Sequence, residues 1–438
     1  MTGFTPYISS YQSNQVNSIC IVTTRHISYN PRVLKEADAL HKAGYKVTVV
    51  TINNKFSQSR FDEEIMQSRQ WALKTVNYRK EIGKEKIRWV YLSLKQKLFS
   101  YLSRWFRGNG IAERAMNKAY DPLLRLAKEV KAGLYIAHHP EALGIGYKAA
   151  RKNKAKFAFD AEDFHTGMNE GSEGCSEEKL IQYLEEKYLP LCNYLTAASK
   201  GIAEAYASKY AISLPTVVLN VFPKVNLSSE TEPNKIVKFY WYSQVIGPNR
   251  NLEYLIQAAS AIEEPFEIHL RGSFHSHEYE SNLKSLIRQF NLNTKIFFHR
   301  PILAEQIIPD ASQYDVGLAL ETKVSVNRDI CVTNKIFAYL MAGLAIIGTD
   351  TSGQKDIFGN FSEATYLCGM DNVTSLIKAM RYYIQNPAQL LEVKRAAREA
   401  AMDQFNWETE SQKILNCIMS AMSEQPFSTQ KPRLVPLS

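Results

Sequence analysis

Residues 315–358, DVGLALETKVSVNRDICVTNKIFAYLMAGLAIIGTDTSGQKDIF, leave this chain few ways to fold. Residues 315–320 form an apolar run of strand length, and 344–348 form a second. Between them Thr333 is placed to cap a helix whose apolar positions Ile336, Phe337, Leu340 and Met341 share one face. Gly343 follows where a helix C-terminus takes a left-handed residue. Two buried strands joined by a helix make a parallel unit of an α/β sheet. The polar loop after the first strand lies at its carboxyl end, where open α/β sheets bind ligands. The helix opens with Thr333-Asn334-Lys335, so backbone N–H groups and an ammonium converge as a phosphate or diphosphate requires. The same residues also read as an ordinary capped helix with a solvated lysine.

The pattern recurs at the start of the chain. Residues 18–24 (SICIVTT) read as a buried strand, Pro31 opens a helix, Gly44 closes it, and 45–52 (YKVTVVTI) form the next strand. No G-x-G-x-x-G turn follows the first strand; its carboxyl end offers Arg25, His26, Asn30 and Arg32 instead. A helix is expected over 111–131, then a strand 134–138 ending in His138-His139-Pro140, a helix 141–152 and a strand 156–160. Asp160, Glu162, Asp163 and His165 crowd the loop after that strand, a set better suited to hydrogen bonding or acid/base work than to a metal. Gly144-x-Gly146-x-x-Ala149 imitates a dinucleotide fingerprint but lies inside a helix behind Pro140, so its turn mechanics do not apply.

A strand 194–198, a helix 199–210 capped by Ser199 and a strand 217–220 complete the first half, and 222–234 (FPKVNLSSETEPN) mark a boundary. The second half alternates again: strand 237–242, loop SQVIGPNRN, helix 252–262, strand 267–271 closed by Gly272, helix 278–291, strand 295–299 and helix 304–312. Helices over 373–386, 390–405 and 408–422 follow the opening unit.

The formal charge of +9 over 438 residues implies an anionic partner: nucleic acid, a membrane surface or a phosphorylated ligand. Much of it gathers in 80–110, where Lys84, Lys86, Arg88, Lys95, Lys97, Arg104 and Arg107 interleave with Trp89, Tyr91, Phe99, Trp105 and Phe106. That stretch reads either as a helix lying in an anionic membrane interface through 84–107, or as a surface helix whose aromatics are core. No nucleic-acid-binding module accompanies the charge, so no nucleic acid is expected as partner. Six scattered cysteines without a C-x-x-C pair fit a reducing compartment and no structural zinc. The first 18 residues have no basic-then-apolar signal pattern, and no apolar run reaches the ~20 residues of a spanning helix, so a cytoplasmic protein is expected, with contact at the inner face of the membrane.

Seven segments in order resemble the family-four glycosyltransferases, retaining nucleotide-sugar enzymes of GT-B fold: NPRVLKEADAL, FDAEDFH, LTAASKGIAEAY, YSQVIGPNRNLEYL, FFHRPI, DVGLALE and VTNKIFAYLMAGLAIIGTD. The resemblance covers about residues 18–405. It implies two Rossmann-like parallel-sheet domains facing a cleft: an acceptor domain, 1–222, and a nucleotide-sugar domain, 223–405. A helix 406–424 would cross back to the first domain, leaving a disordered tail 425–438.

The donor would be a nucleoside diphosphate sugar, with no further cofactor and no metal, and the acceptor a glycan or a lipid-linked glycan. By resemblance, Asn334 and Lys335 head the donor-diphosphate helix after Thr333, and Arg250 meets the diphosphate. Gln244 stands where many members have a second basic residue. Gly272 and His299 fall at strand ends in the donor domain, His299 in the segment beside the base. Glu321 or Asp329 would meet sugar or ribose hydroxyls. His138, Asp160, Glu162 and His165 would orient or deprotonate the acceptor, and Arg25, Asn30, Arg32, His139 and Asp163 would bind it. The chain departs from the family's E-x7-E pattern: Ala338 stands at the second glutamate position and Ile330 at the first. Two other readings follow, a sugar-nucleotide epimerase of the same fold and a non-catalytic nucleotide-sugar-binding or scaffold subunit.

Overall fold

The computed structural model describes residues 17–168, 176–227, 234–359, 361 and 365–423. The expected disordered tail lies outside the described residues, as does part of the 222–234 boundary. Contacts divide the chain into two compact units. One comprises Met1–Ala161, Gly174–Thr196 and Lys413–Ser438; the other comprises Glu162–Glu173 and Ala197–Gln412.

The N-terminal half carries a seven-stranded sheet of β1 (Ser18–Val22), β2 (Lys46–Asn53), β3 (Ala72–Asn77), β4 (Leu134–His138), β5 (Lys156–Ala161), β6 (Tyr194–Ala197) and β7 (Thr216–Val217), in the order β3-β2-β1-β4-β5-β6-β7. The pairings from β3 through β5 are parallel. β1 and β4 are buried at every position, as continuous apolar runs covered on both faces must be. The helix Pro31–Lys42 starts with its proline at the first turn, and the side chain of Asn30 accepts from the Val33 amide at 3.2 Å.

The C-terminal half carries six strands: β8 (Val237–Ile246), β9 (Phe266–Phe274), β10 (Ile296–His299), β11 (Val316–Ala319), β12 (Ala345–Thr349) and β13 (Thr365–Cys368). Their order is β10-β9-β8-β11-β12-β13 and every pairing is parallel. The helix Asn334–Ala342 has all its residues from Lys335 onward buried, and Gly343 ends it in the left-handed region at φ 72°. Each of its large apolar side chains contributes about 2 kcal/mol by leaving water.

Several elements differ from the sequence expectation. The helix expected over 111–131 is two, Ile111–Met116 and Tyr120–Glu129, because Asn117 is extended and its side chain accepts from the Ala119 amide at 2.8 Å. Residues 243–246, expected in a loop, continue β8 past a bulge after Tyr242, and Ile246 is fully buried. Thr333 sits at the cap position of its helix but makes no side-chain cap bond. The short helices Val326–Ile330 and Ser352–Gly359 and the edge strands β3 and β13 were not expected at all.

Candidate functional site

In the six-stranded sheet the strand order reverses between β8 and β11, so the connections leaving their carboxyl ends part and open a crevice. The loop after β8 turns through Asn249 and Asn251, both left-handed at φ 58° and 55°. It is tied to the loop after β11: Asn251 Nδ2 donates to the Glu321 carbonyl at 3.3 Å, and Thr322 Oγ1 to the Asn249 carbonyl at 3.4 Å. This brackets Glu321, which is 7% exposed.

Three cations from three elements converge on that carboxylate. Lys335 Nζ lies 2.5 Å from Glu321 Oε1, Arg328 Nη1 3.0 Å from Oε2, and Arg250 Nη1 4.0 Å from Oε2. Burial pushes the Glu321 carboxyl up, but Lys335, Arg328 and Arg250 together hold it down at about 2. Arg250 is lowered from its ordinary value by burial first and by the charge of Arg328 second. One carboxylate therefore faces three cations, which leaves excess positive charge at the crevice. The N-terminus of the helix Asn334–Ala342 adds its dipole at the same place.

Sequence reasoning named Arg250, Glu321 and Lys335 and missed Arg328. A signal was present: Ser325 stands three residues ahead and accepts from the Arg328 amide at 3.2 Å, the start signature of a short helix that fixes the arginine. Lys335 is neither solvated nor free at a helix start, because its ammonium is buried against Glu321. Asp329 is turned to another task. Its carboxylate accepts from the Ser352 amide at 3.0 Å and hydroxyl at 2.7 Å, with Lys323 at 3.5 Å. Ala338 is fully buried.

A pocket of about 530 Å³ lies at the carboxyl ends of β9 and β10, lined among others by Gly272, Phe274, His275, Phe298, His299 and Arg300. At Gly272 an added Cβ would meet the Ser243 carbonyl at 2.6 Å, so only glycine lets β8 and β9 approach there. His299 Nε2 is 2.9 Å from His269 Nδ1, whose other nitrogen is 3.0 Å from Glu267. Arg271 donates to the Arg300 carbonyl at 2.7 Å and fixes the turn behind the pocket. Gln244 lies exposed in the β8 bulge.

The seven-stranded sheet reverses between β1 and β4, and Arg25, Asn30, Arg32, His138, His139 and Asp160 lie on or just after β1, β4 and β5, mostly buried. Arg32, 1% exposed, holds Asp160 through two bonds of 2.5 and 2.7 Å, and Thr196 donates to the same carboxylate. His138, fully buried, places Nε2 at 2.6 Å from Glu36 and Nδ1 at 3.4 Å from Asp160. Asn30 Nδ2 is 3.2 Å from His139 Nε2, and His139 stands at φ 67°, a conformation that non-glycine residues rarely take. His26 is bound by Asp62 at 2.6 Å. Arg25 is exposed and Glu162 half-buried, whereas His165 is buried. Asp163 accepts from Asn327 Nδ2 at 2.9 Å, and the Phe164 amide donates to Asn327 Oδ1 at 2.7 Å. The loop after β5 is thereby fastened to the helix that carries Arg328.

A family model described as "Glycosyl transferase-like" matches residues 250–416, which contain all four members of the cation cluster. No curated protein is similar to the chain in sequence. Solved structures are similar over nearly its whole length. A glycosyltransferase from Rickettsia africae has a TM-score of 0.66 at 14% identity, covering 93% of this chain and 99% of that one. HepE of Anabaena in complex with UDP has a TM-score of 0.66 at 12% identity, covering 92% and 100%. Sucrose-phosphate synthase from Thermosynechococcus elongatus has a TM-score of 0.62 at 14% identity, covering 92% and 98%. The fold is GT-B. Of the expected donor-side residues, Arg250, Glu321 and Lys335 meet at the crevice between β8 and β11.

Glu321 gives the cluster a pH signature. Its carboxyl titrates lower in the folded protein than in the unfolded chain, so its contribution to stability is present above the ordinary glutamate range. That contribution is lost as pH falls toward about 2. Glu321→Gln is expected to lower the urea midpoint at pH 6, and the gap to wild type should close between pH ~4 and ~2. A gap that stays constant through that window would show that the carboxylate charge is not what holds the three cations.

Proposed function

We propose that this protein is a nucleotide-sugar-dependent glycosyltransferase, moving a hexosyl group from a nucleoside diphosphate sugar to a glycan or lipid-linked acceptor in cell-surface polysaccharide biosynthesis. The observation that carries the reading is the convergence of Arg250, Arg328 and Lys335 on Glu321 at the strand-order reversal of the donor-side sheet. HepE, similar in fold, has been crystallised with UDP-glucose.

In such a transfer the bond from the anomeric carbon to the diphosphate oxygen breaks, and its electron pair leaves with the diphosphate. Charge grows on that oxygen while the sugar becomes oxocarbenium-like. Preorganised cations aimed there lower the barrier more than they strengthen ground-state binding. An acceptor hydroxyl attacks the anomeric carbon from the face the diphosphate leaves, its proton passing to a phosphate oxygen, with retention of configuration. The pocket at Gly272 and His299 takes the nucleobase. Glu162 and Arg25 meet the acceptor, with Asn30, His139, Asp163 and His165 shaping that side. His138, Asp160 and Arg32 act behind them as positioning residues. The protein works in the cytoplasm, at the inner face of the membrane.

The deciding experiment incubates the protein with UDP-, GDP-, ADP- and dTDP-sugars and separates the products by chromatography. Released nucleoside diphosphate supports transfer. Epimerised donor would replace the reading with an epimerase. Binding without turnover would favour a non-catalytic subunit, the reading to which Ala338 lends weight. Because three side-chain cations supply the positive charge, donor binding and transfer are expected to survive chelation of divalent metal. Activity that EDTA abolishes and added magnesium or manganese restores would overturn that point.

A further inference from the structure

The helix Gly83–Leu102 turns most of its apolar side chains to solvent. Ile87 is 74% exposed, Leu94 62% and Trp105, just past the helix end, 68%; Tyr91, Leu98, Tyr101 and Phe106 are more than half exposed as well. At about 100° per residue, Ile87, Tyr91, Leu94, Leu98 and Tyr101 fall within roughly 80° of one another, a single stripe about 20 Å long. Leu92 is the one buried residue of this helix, so the reading in which its aromatics are core does not hold.

The cations flank the stripe on both sides. Lys84 and Arg88 lie on one flank, Lys86 and Lys97 on the other, with Arg104 and Arg107 beyond the end. Lys95 does not count, because its ammonium is bound by Asp121 at 2.7 Å. The acid within 84–107 is Glu85, already held by Arg79 at 2.6 Å. On the Arg88 flank a hollow of about 320 Å³ is walled by Tyr91, Leu92 and Leu126 and edged by Arg88 and Arg125, with Glu129 and the Lys95-bound Asp121 also on its lining.

We infer that this helix lies flat in the interface of an anionic phospholipid bilayer, its stripe among the upper acyl chains and its flanking cations at the phosphates. The charge pattern selects this occupant. A second copy packed on the stripe would press like cations together, and a nucleic acid would leave Ile87, Leu94 and Leu98 wet. A bilayer satisfies both the apolar stripe and the cations, and the aromatic side chains of Tyr101, Trp105 and Phe106 suit the headgroup boundary. No helix among the described residues is long and apolar enough to cross the membrane, so the contact is peripheral. The inference stands apart from the donor chemistry, which is assayed separately.

The test is sedimentation of the full-length protein with phosphatidylcholine vesicles, with and without phosphatidylglycerol. Wild type is expected to pellet with the anionic vesicles and stay largely in solution with the neutral ones. Each cation removed should cut binding about fivefold at low salt. Lys84→Gln, Lys86→Gln, Lys97→Gln and Arg104→Gln together are therefore expected to lower it roughly a hundredfold or more. Leu94→Glu with Leu98→Glu should abolish it; both side chains are exposed, and an unchanged thermal melt confirms folding. Equal binding to both vesicle types, vesicle binding insensitive to both sets of substitutions, or a concentration-dependent dimer dissolved by the two glutamates would overturn the inference.

Discussion

Lys335→Met is expected to lower turnover by about 30- to 1000-fold while leaving a folded protein, the loss of about 2–4 kcal/mol that follows removal of one preorganised donor at a developing anion. Methionine keeps an unbranched apolar side chain in place of the lysine, whose ammonium sits over the Trp241 ring at 5.7 Å from its centre. The charge and the hydrogen bond to Glu321 are lost. Glu321 keeps Arg328 at 3.0 Å and Arg250 at 4.0 Å, so the buried carboxylate is not abandoned. Affinity for the nucleoside diphosphate should fall less than turnover, because the ammonium matters most as the leaving oxygen gains charge.

Arg328→Ala should act in the same direction, although sequence reasoning missed that residue. The double variant with Arg250→Ala should fall short of the product of the two single effects if both guanidiniums serve one diphosphate. The measurements are steady-state transfer, calorimetry with the nucleoside diphosphate, and circular dichroism. A folded Lys335→Met protein with wild-type turnover and affinity would place the donor site elsewhere.

The difference between Arg250 and Arg328 shows what a sequence of this kind discloses. Central strands such as β1, β11 and β12 are covered on both faces, so they must be continuous apolar runs and stand out. β3 and β13 are edge strands with half-exposed faces; ALKTVN and TYLC carry no such signal. The helix Asn334–Ala342 was legible because a left-handed glycine closes it, whereas the five-residue helix bearing Arg328 is too short for periodicity. The parallel α/β character of both halves followed from the alternation of strands and helices, whereas the strand orders, with their reversals, did not. What alternation does not carry is which polar side chains face a ligand and which face one another. Arg32, Asp160 and His138 have the same spacing in the sequence whether they are open to an acceptor or locked together.

That locking implies a large stability effect. Arg32 and Asp160 are 1% and 2% exposed, joined by two bonds, with Thr196 and His138 completing the carboxylate's surroundings. Withdrawing one partner of such a pair strands the other charge away from water, at a cost of about 3–5 kcal/mol. Arg32→Ala and Asp160→Ala should each lose roughly that much in urea unfolding at pH 7. Arg32→Met combined with Asp160→Asn should lose less than either, since neither charge is then left buried alone. Folded stability and turnover per folded molecule separate two roles for this pair. If Asp160 only positions β5 and the loop that follows it, Asp160→Asn should keep turnover within a few-fold once the folded fraction is counted. A loss of a hundredfold or more in fully folded Asp160→Asn would instead put its carboxylate in contact with the acceptor during transfer.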